Sequence, residues 1–256
     1  MSTSYARRPV AGKPADTLVV EEPLEIRLNG KPLAVTMRTP GSELDLALGF
    51  LYTEGIIGGP DQVKSAKLCI DNPNIVEVDA PSVDAEARNF YTTSSCGVCG
   101  KASIDSVRVH SHHDVAGDPT TVSRHVLCTL PAKLREAQKG FSRTGGSHAS
   151  GVFTTEGRLV IAREDVGRHN ALDKVIGTLW QRNALPLTDH VILVSGRASF
   201  ELTQKAWLAG ASVLAAVSAP STLAVDLAAE AGMTLIGFLR GESMNVYTRP
   251  DRVVDA

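Results

Sequence analysis

This chain of 256 residues has few cysteines and a small net charge, and each of these properties excludes a class of protein. Four cysteines are too few for a small secreted fold that depends on disulfides. A formal net charge of −2 provides no broad basic surface, so nucleic acid is not expected as a partner. The longest apolar stretch, about 206–217, is too short to span a bilayer, and a membrane is not expected either.

The N-terminus also lacks the features of a secretory signal. Arg7-Arg8 is followed by Pro9 and Gly12 rather than by an apolar stretch. The small and basic residues over 1–16 predict a disordered lead-in. We therefore expect a cytoplasmic protein, in which a standing disulfide is uncommon.

Residues 17–130 have the pattern of a small α+β region. Two runs that alternate apolar and polar residues flank Asn29-Gly30, the strongest short-range signal for a β-hairpin. A helix that Ser42 can cap is expected next, followed by short strands near 67–70 and 75–78. The same region contains the loop 94–101, in which half of the cysteines lie.

Residues 131–256 have the regular alternation of an α/β core that would bind a cofactor. Three apolar strands near 191–194, 213–217 and 235–239 alternate with helices, which predicts a mostly parallel central sheet. Ligands of such sheets bind at the carboxyl ends of the strands, and we call that edge the rim. The residues expected along the rim are Ser195, Gly196, Arg197, Ser218, Arg240, Gly241, Glu242 and Ser243.

Several motifs in this half of the chain are typical of anion binding. The planar guanidinium groups of Arg197 and Arg240 suit phosphate. Thr144–His148 is a glycine turn whose backbone N–H groups could hold an anion, although ordinary turns use the same glycine pair. Glu164–Asn170 sets two acids, an arginine and a histidine at a helix start, where cations oppose the helix dipole. A capped helix with a solvated first turn is the simpler explanation of that last motif.

The loop Ser94–Lys101 places Cys96 and Cys99 between glycines, in polar surroundings that favour reactive thiols. A structural zinc site needs two more ligands at short spacing, and the histidines within 110–113 fit this poorly. A thioredoxin-like dithiol should follow the first strand of a βαβ unit, which is missing here. The His-x-Glu and Pro-Cys-x-x-Cys pattern of zinc deaminases is missing too. Sulfur transfer through a persulfide remains as the best interpretation, with zinc and dithiol chemistry as weaker ones.

These motifs in combination resemble one family, the formate dehydrogenase accessory sulfurtransferases, or FdhD family. The resemblance runs from about residue 21 to residue 247. Its most specific parts are SCGVCG at 95–100 and EDVGRHNALDK at 164–174. The glycine turn Thr144–His148 and the segment Ser195–Ser199 also match.

The resemblance implies a sulfur carrier without a metal of its own. Such proteins accept sulfur from a cysteine desulfurase and deliver it to the molybdenum cofactor, bis-molybdopterin guanine dinucleotide, before that cofactor enters the formate dehydrogenase apoenzyme. Cys96 would carry the persulfide and Cys99 would assist. The family's fold implies a cytidine deaminase-like three-layer core, and a homodimer is expected. The expected cofactor-binding residues are Phe238, Leu239, Arg240, Gly241, Glu242, Ser243, Arg197, Gly146 and His148.

An escort protein that binds the cofactor without sulfur chemistry is the alternative function. It would need the same rim as a sulfur carrier. It ranks second because it leaves the two cysteines of the 94–101 loop without a role.

Overall fold

The computed structural model describes residues 4–83 and 111–255 of the chain. The strands among them are β1 Tyr5–Val10, β2 Lys13–Val19, β3 Glu22–Leu28, β4 Lys31–Arg38, β5 Ser65–Leu68, β6 Ile75–Asp79, β7 Val122–Ser123, β8 His148–Thr154, β9 Leu159–Asp165, β10 His190–Val194, β11 Val213–Ala216, β12 Thr234–Arg240, β13 Ser243–Val246 and β14 Val253–Val254. The α-helices are α1 Glu43–Thr53, α2 Arg124–Ala137, α3 Lys139–Thr144, α4 Arg168–Gln181, α5 Phe200–Leu208 and α6 Thr222–Glu230.

The chain groups into two compact units, neither of which is continuous in sequence. Unit 1 contains residues 1–108, 139–148 and 164–181, and unit 2 contains residues 109–138, 149–163 and 182–256. This differs from the predicted boundary between residues 130 and 131, which lies inside α2. The physical reason is that α4, which lies in the second half of the chain, packs on α1 and therefore groups with unit 1.

Residues 5–16, which we expected to be disordered, belong to an antiparallel ribbon of β1 and β2 in unit 1. Gly12 makes the turn with a φ of 71°. Because a two-stranded ribbon is only marginally stable alone, it needs further support. That support comes from α3, where the Arg143 guanidinium lies 4.8 Å from the centre of the Tyr5 ring and donates a hydrogen bond to the Tyr5 hydroxyl.

The hairpin predicted at Asn29-Gly30 is confirmed as the pair β3 and β4. Both turn residues have positive φ, 51° for Asn29 and 77° for Gly30, as a tight two-residue hairpin requires. The two strands belong to a four-stranded sheet with the order β4-β3-β6-β5. The inward side chains of β3 alternate along the strand and are fully buried, which makes them part of the core of unit 1: Leu24, Ile26 and Leu28.

Helices α1 and α4 of unit 1 cross at two glycines. A Cβ added at Gly49 would lie 1.9 Å from the backbone oxygen of Asp173, and one at Gly177 would lie 1.9 Å from the backbone oxygen of Asp45. No side chain fits at either position, so the two backbones touch directly. The close crossing explains why 12 of the 14 residues of α4 are buried, polar ones included.

Unit 2 is built on a six-stranded sheet with the order β13-β12-β11-β10-β8-β9. Strands β10, β11 and β12 are parallel neighbours, and α5 and α6 connect them. Strand β8 pairs antiparallel with β10, and β13 pairs antiparallel with β12. The predicted α/β class is confirmed, but the sheet is mixed rather than mostly parallel. Short turns join β8 to β9 and β12 to β13, and only antiparallel neighbours can be joined by so short a turn.

Both faces of this sheet are covered. Three leucines of α2, Leu127, Leu130 and Leu134, form a buried cluster with strand side chains of one face: Phe153, Val191, Leu193, Val213, Ala215, Ile236 and Leu239. Ile192 and Leu214 alternate with that set and are also fully buried, as expected for a second face under α5 and α6. The three-layer, cytidine deaminase-like arrangement of the core stays a prediction.

None of the helices among the described residues combines the length and the hydropathy needed to cross a membrane.

The glycine crossing gives a test of unit 1. In an exposed helix, replacing glycine with alanine stabilises a protein by about 1 kcal/mol. We expect Gly49→Ala to lower the free energy of unfolding by about 2 kcal/mol, because the methyl group would overlap the carbonyl of Asp173. Urea denaturation measures this difference.

Gly140→Ala is the matched control for that test. Gly140 is also helical, but its added Cβ would meet only the side-chain carboxylate of Glu164, at 3.1 Å. Equal stability of the Gly49→Ala and Gly140→Ala chains would contradict the close crossing.

Candidate functional site

Cys96 and Cys99, the predicted sulfur-carrying pair, lie outside the described residues. The other predicted site residues fall into two groups. Gly146 and His148 belong to unit 1, whereas Arg197 and residues 238–243 belong to unit 2. Each group is described within its own unit.

The rim of unit 2 is formed by loops that hydrogen-bond to one another. Because β10, β11 and β12 are parallel, their carboxyl ends lie at the same edge. The Ser218 N–H donates to the Gly196 carbonyl (3.1 Å), and the Phe238 N–H donates to the Ser218 carbonyl (3.1 Å). An isolated bridge also joins Ala198 to Pro220. The rim predicted from the sequence is therefore one continuous backbone surface in unit 2.

Two helices begin at this rim. The Ser199 hydroxyl accepts a hydrogen bond from the Leu202 N–H at the start of α5, and the Ser221 hydroxyl accepts one from the Ala224 N–H at the start of α6. Both serines are ordinary N-caps. The positive ends of two helix dipoles therefore meet the same edge, which favours an anion there.

Both predicted arginines of the rim are exposed. The Arg240 Nε–H donates to the Val217 carbonyl at 2.8 Å, which holds its guanidinium group against the end of β11. Arg197 projects from the loop between β10 and α5. Two guanidinium groups and two helix N-termini therefore favour the binding of an anion at the rim of unit 2.

The segment Phe238–Ser243 is partly at the rim and partly in the core. Phe238 has a φ of 53° at a break in the register between β12 and β13, and its side chain is 38% exposed. A left-handed phenylalanine is a strained backbone, of the kind found at binding sites. Gly241 and Glu242 form the exposed turn between the two strands. Leu239 is fully buried among the residues under α2, so its side chain cannot contact a ligand at the rim, contrary to the sequence prediction.

In unit 1, the Glu164 carboxylate forms hydrogen bonds on both sides of the glycine turn that precedes His148. The Glu164 carboxylate accepts hydrogen bonds from the Gly140 N–H, the Phe141 N–H and the Ser147 hydroxyl, at 2.7 to 2.8 Å. It thereby caps the first turn of α3, the role that acids often fill at a helix start. Glu164 is thus a structural residue of the 164–170 motif.

The surroundings of His148 favour its neutral form. Burial lowers the pKa of His148, and electrostatic interactions with Arg168 and His169 lower it further, while Asp165 acts in the opposite direction. A neutral imidazole can both donate and accept a hydrogen bond. In this unit, Arg168 also has a buried Nε that makes no hydrogen bond within the described residues.

Asp165 and Lys174 form a buried ion pair at the start of α4. Lys174 Nζ lies 2.7 Å from Asp165 Oδ2, with side-chain exposures of 2% and 0%. The Asp165 carboxylate also accepts from the Thr39 N–H, the Gly167 N–H and the Asn170 amide. Lys174 donates to the Thr39 carbonyl as well. These bonds satisfy both charges and join Asp165, α4 and the residue that follows β4 within unit 1.

This network departs from the sequence interpretation, which expected a solvated first turn. Asn170, Asp173 and Lys174 are all at least nine-tenths buried. A signal was present in the sequence, because these polar residues occur within the apolar repeat of α4 rather than on a separate face. Thr39 was missed entirely, since nothing in the sequence marks it as a partner of Asp165.

Among the described residues, no group of three or more His, Cys, Asp or Glu side chains has an arrangement that could hold a metal ion.

Comparisons with known proteins agree on one family. The FdhD/NarQ family model matches residues 19–254. The sulfur carrier protein FdhD of Streptomyces avermitilis is 56% identical over 252 residues, which cover 93% of this chain and 89% of that protein. The protein of the same name from Mycobacterium tuberculosis is 53% identical, with coverage of 93% and 92%. The one from Sulfolobus acidocaldarius is 44% identical, with coverage of 93% and 91%.

A solved structure has a similar fold. It belongs to a protein from Desulfotalea psychrophila assigned as a formate dehydrogenase accessory protein, and it superimposes with a TM-score of 0.80. The match covers 98% of this chain and 100% of that one at 22% sequence identity, so it supports the fold alone.

The buried ion pair predicts that Lys174 is needed for stability. We expect Lys174→Met to lower the free energy of unfolding by about 3–5 kcal/mol, because Asp165 would remain as an uncompensated buried charge. The double change Asp165→Asn with Lys174→Met should recover part of that loss. Urea denaturation of both chains measures the two effects.

Lys133→Met is the control, since Lys133 is half-buried and its ammonium donates to the Gly157 carbonyl instead of a carboxylate. A Lys174→Met chain as stable as the Lys133→Met chain would show that the ion pair is not what holds α4.

The lowered pKa of His148 predicts a loss of stability in mild acid. The unfolded imidazole binds a proton near its ordinary pKa of 6.5, whereas the folded one does so only at lower pH. The free energy of unfolding should therefore fall as the pH drops below about 6.5. We expect His148→Asn to lose less stability than the unaltered chain between pH 7.5 and pH 5.5. Replacing the exposed His125 in the same way controls for the removal of one histidine, and an identical pH profile for His148→Asn and the unaltered chain would contradict the prediction.

Proposed function

This chain belongs to the FdhD/NarQ family, and from that membership we propose that it carries sulfur for the maturation of formate dehydrogenase. Its relatives are named sulfur carrier proteins. The observation that carries the proposal within the structure is the rim of unit 2. Two helix N-termini, Arg197, Arg240 and the exposed turn of residues 241–242 all lie at this edge of the sheet.

The cargo that best suits this rim is an anionic dinucleotide, the bis-molybdopterin guanine dinucleotide form of the molybdenum cofactor. The guanidinium groups of Arg197 and Arg240 would pair with its phosphates, whose oxygens match the planar fork of arginine. The exposed ring of Phe238 would stack against a planar base. The assignment of Gly146 and His148 to the cofactor stays a prediction from the sequence.

The sulfur step is proposed to use Cys96 and Cys99. The Cys96 thiolate attacks the terminal sulfur of a persulfide on a cysteine desulfurase, forming a new S–S bond, and the desulfurase cysteine leaves as a thiolate. Cys99 then attacks the Cys96 sulfur, which releases the terminal sulfur as sulfide to the molybdenum of the bound cofactor. The resulting Cys96–Cys99 disulfide is reduced by a dithiol reductant before the next cycle.

The partners follow from this sequence of steps. A cysteine desulfurase donates the sulfur, and the formate dehydrogenase apoenzyme receives the sulfurated cofactor. We further propose that the protein acts in the cytoplasm as a homodimer, so that two cysteine pairs are available to the cofactor.

The deciding experiment measures sulfur on the protein itself. The chain is incubated with a cysteine desulfurase and cysteine, and the mass of each cysteine-containing peptide is determined. We expect a gain of one sulfur atom at Cys96, which Cys96→Ala abolishes because the nucleophile is gone. Cys69→Ala is the matched control, since it removes a half-buried thiol outside the pair. Sulfur gained equally well by the Cys96→Ala chain would rule out this assignment.

The same variants separate the sulfur carrier from an escort protein. The rim supports an escort equally well, because it would bind an anionic cofactor whether or not sulfur is transferred. An escort predicts that cells carrying Cys96→Ala keep active formate dehydrogenase while Arg240→Gln abolishes it. A sulfur carrier predicts that both changes abolish it.

A further inference from the structure

One side of β13, the strand at the edge of unit 2's sheet, is open to solvent. Met244 and Val246 pack against the buried cluster that contains the α2 leucines. Because side chains alternate along a strand, Ser243, Asn245 and Tyr247 lie on the opposite side, and all three are exposed. This row of a hydroxyl, an amide and an aromatic ring is here called the β13 face.

Gly237 of the neighbouring strand β12 makes room for the aromatic ring of the β13 face. Gly237 is the cross-strand partner of Asn245, and the Tyr247 N–H donates to the Leu235 carbonyl at 2.8 Å. A Cβ added at Gly237 would lie 3.0 Å from Tyr247 Cε2 and 2.8 Å from Pro220 Cδ. The tyrosine and proline rings therefore border the space that a side chain at position 237 would occupy.

The loop of residues 217–221 connects the β13 face to the rim of unit 2. Pro220 directly precedes Ser221, the N-cap of α6. The Arg240 Nε–H donates to the carbonyl of Val217, at the start of the same loop. An aromatic ring, a guanidinium group and a helix N-terminus therefore all adjoin one short loop.

A nucleotide is the class of ligand that uses all of these groups together. Its phosphates suit a guanidinium group and a helix N-terminus. Its base has a flat face that stacks on an aromatic ring, and an edge whose donors and acceptors an amide can match. A protein segment bound to the same face would use the ring but would give the adjoining cationic groups no role.

We propose that the β13 face is the subsite for one guanine base of the bound cofactor. The inference rests on the cargo proposed above and adds residues that the sequence did not predict for it. Tyr247 supplies the stacking surface, Asn245 forms hydrogen bonds with the edge of the base, and Gly237 leaves the space beside the ring. Because the bis form of the cofactor carries two bases, this subsite is additional to the ring of Phe238.

The test compares two ligands on the full chain by isothermal titration calorimetry. GDP carries a guanine base and a diphosphate, whereas inorganic pyrophosphate carries the phosphates alone. We expect GDP to bind at least about tenfold more tightly than pyrophosphate, because stacking of a base on an aromatic side chain contributes roughly that factor.

Changes on the β13 face locate the base. Tyr247→Leu should weaken GDP binding about tenfold and leave pyrophosphate binding unchanged, whereas Tyr247→Phe should keep the affinity for GDP because the ring remains. Asn245→Ala should weaken GDP binding several-fold through lost hydrogen bonds. Gly237→Ala should also weaken the binding of GDP alone, since its methyl group would displace the Tyr247 ring.

Tyr5→Leu is the matched control, because Tyr5 in unit 1 is 38% exposed and Tyr247 is 39% exposed. It should change the affinity for neither ligand. The two Tyr247 variants decide the question even if Gly237→Ala fails to fold, since they alter an exposed side chain.

Other outcomes overturn the inference in distinguishable ways. Equal affinities for GDP and pyrophosphate, or an unchanged GDP affinity in Tyr247→Leu, would show that no base binds the β13 face. That face would then be left to a protein partner, while the anion-binding rim would stand. Equal losses in Tyr247→Leu and Tyr247→Phe would rule out stacking. Binding of neither ligand would remove the proposed cargo from the rim, and the subsite with it, whereas sulfur loading of Cys96 tests the carrier function separately.

Discussion

The carboxylate of Asp165 and the ammonium of Lys174 form an ion pair almost completely removed from water, and the neighbouring parts of unit 1 are arranged to keep it satisfied. Such a pair is tolerated only where other hydrogen bonds complete it. Thr39 and Asn170 provide those bonds, and they come from the end of β4 and the first turn of α4. The 164–170 motif is therefore largely structural, and its Glu164 holds the glycine turn that precedes His148.

In unit 2, polar loops lie at the carboxyl ends of the buried parallel strands β10, β11 and β12. The loops after β10 and β11 bond to each other through their backbones, and serine caps complete the helices that begin there. The edge that results has two exposed arginines and the N-termini of α5 and α6. At the opposite edge, Gly210 and Gly232 let residues 113 and 116 pack against the helix ends. One end of the sheet is thus prepared for an anion, and the other holds the chain that follows the cysteines.

Much of the fold could be read from local patterns, because those patterns are set by neighbouring residues. The Asn29-Gly30 hairpin and the strand–helix repeats after residue 190 are examples, and both are present. The rim followed from the repeats, since parallel strands end at one edge. The predictions failed where distant contacts decide the structure. The ribbon of residues 5–16 depends on α3, and the buried position of Leu239 depends on its alternation in a sheet covered by α2.

The sequence by itself determined the family, the dithiol and the strand-end arginines, because each is a matter of residue type and spacing along the chain. Only the tertiary structure decided which polar residues of the 164–174 segment are structural. Glu164, Asp165 and Lys174 could each be chemical by residue type alone, yet hydrogen bonds and an ion pair inside unit 1 occupy all three. Burial and bonding partners come from segments more than a hundred residues apart, as Thr39 and Asp165 are, and no local pattern encodes them.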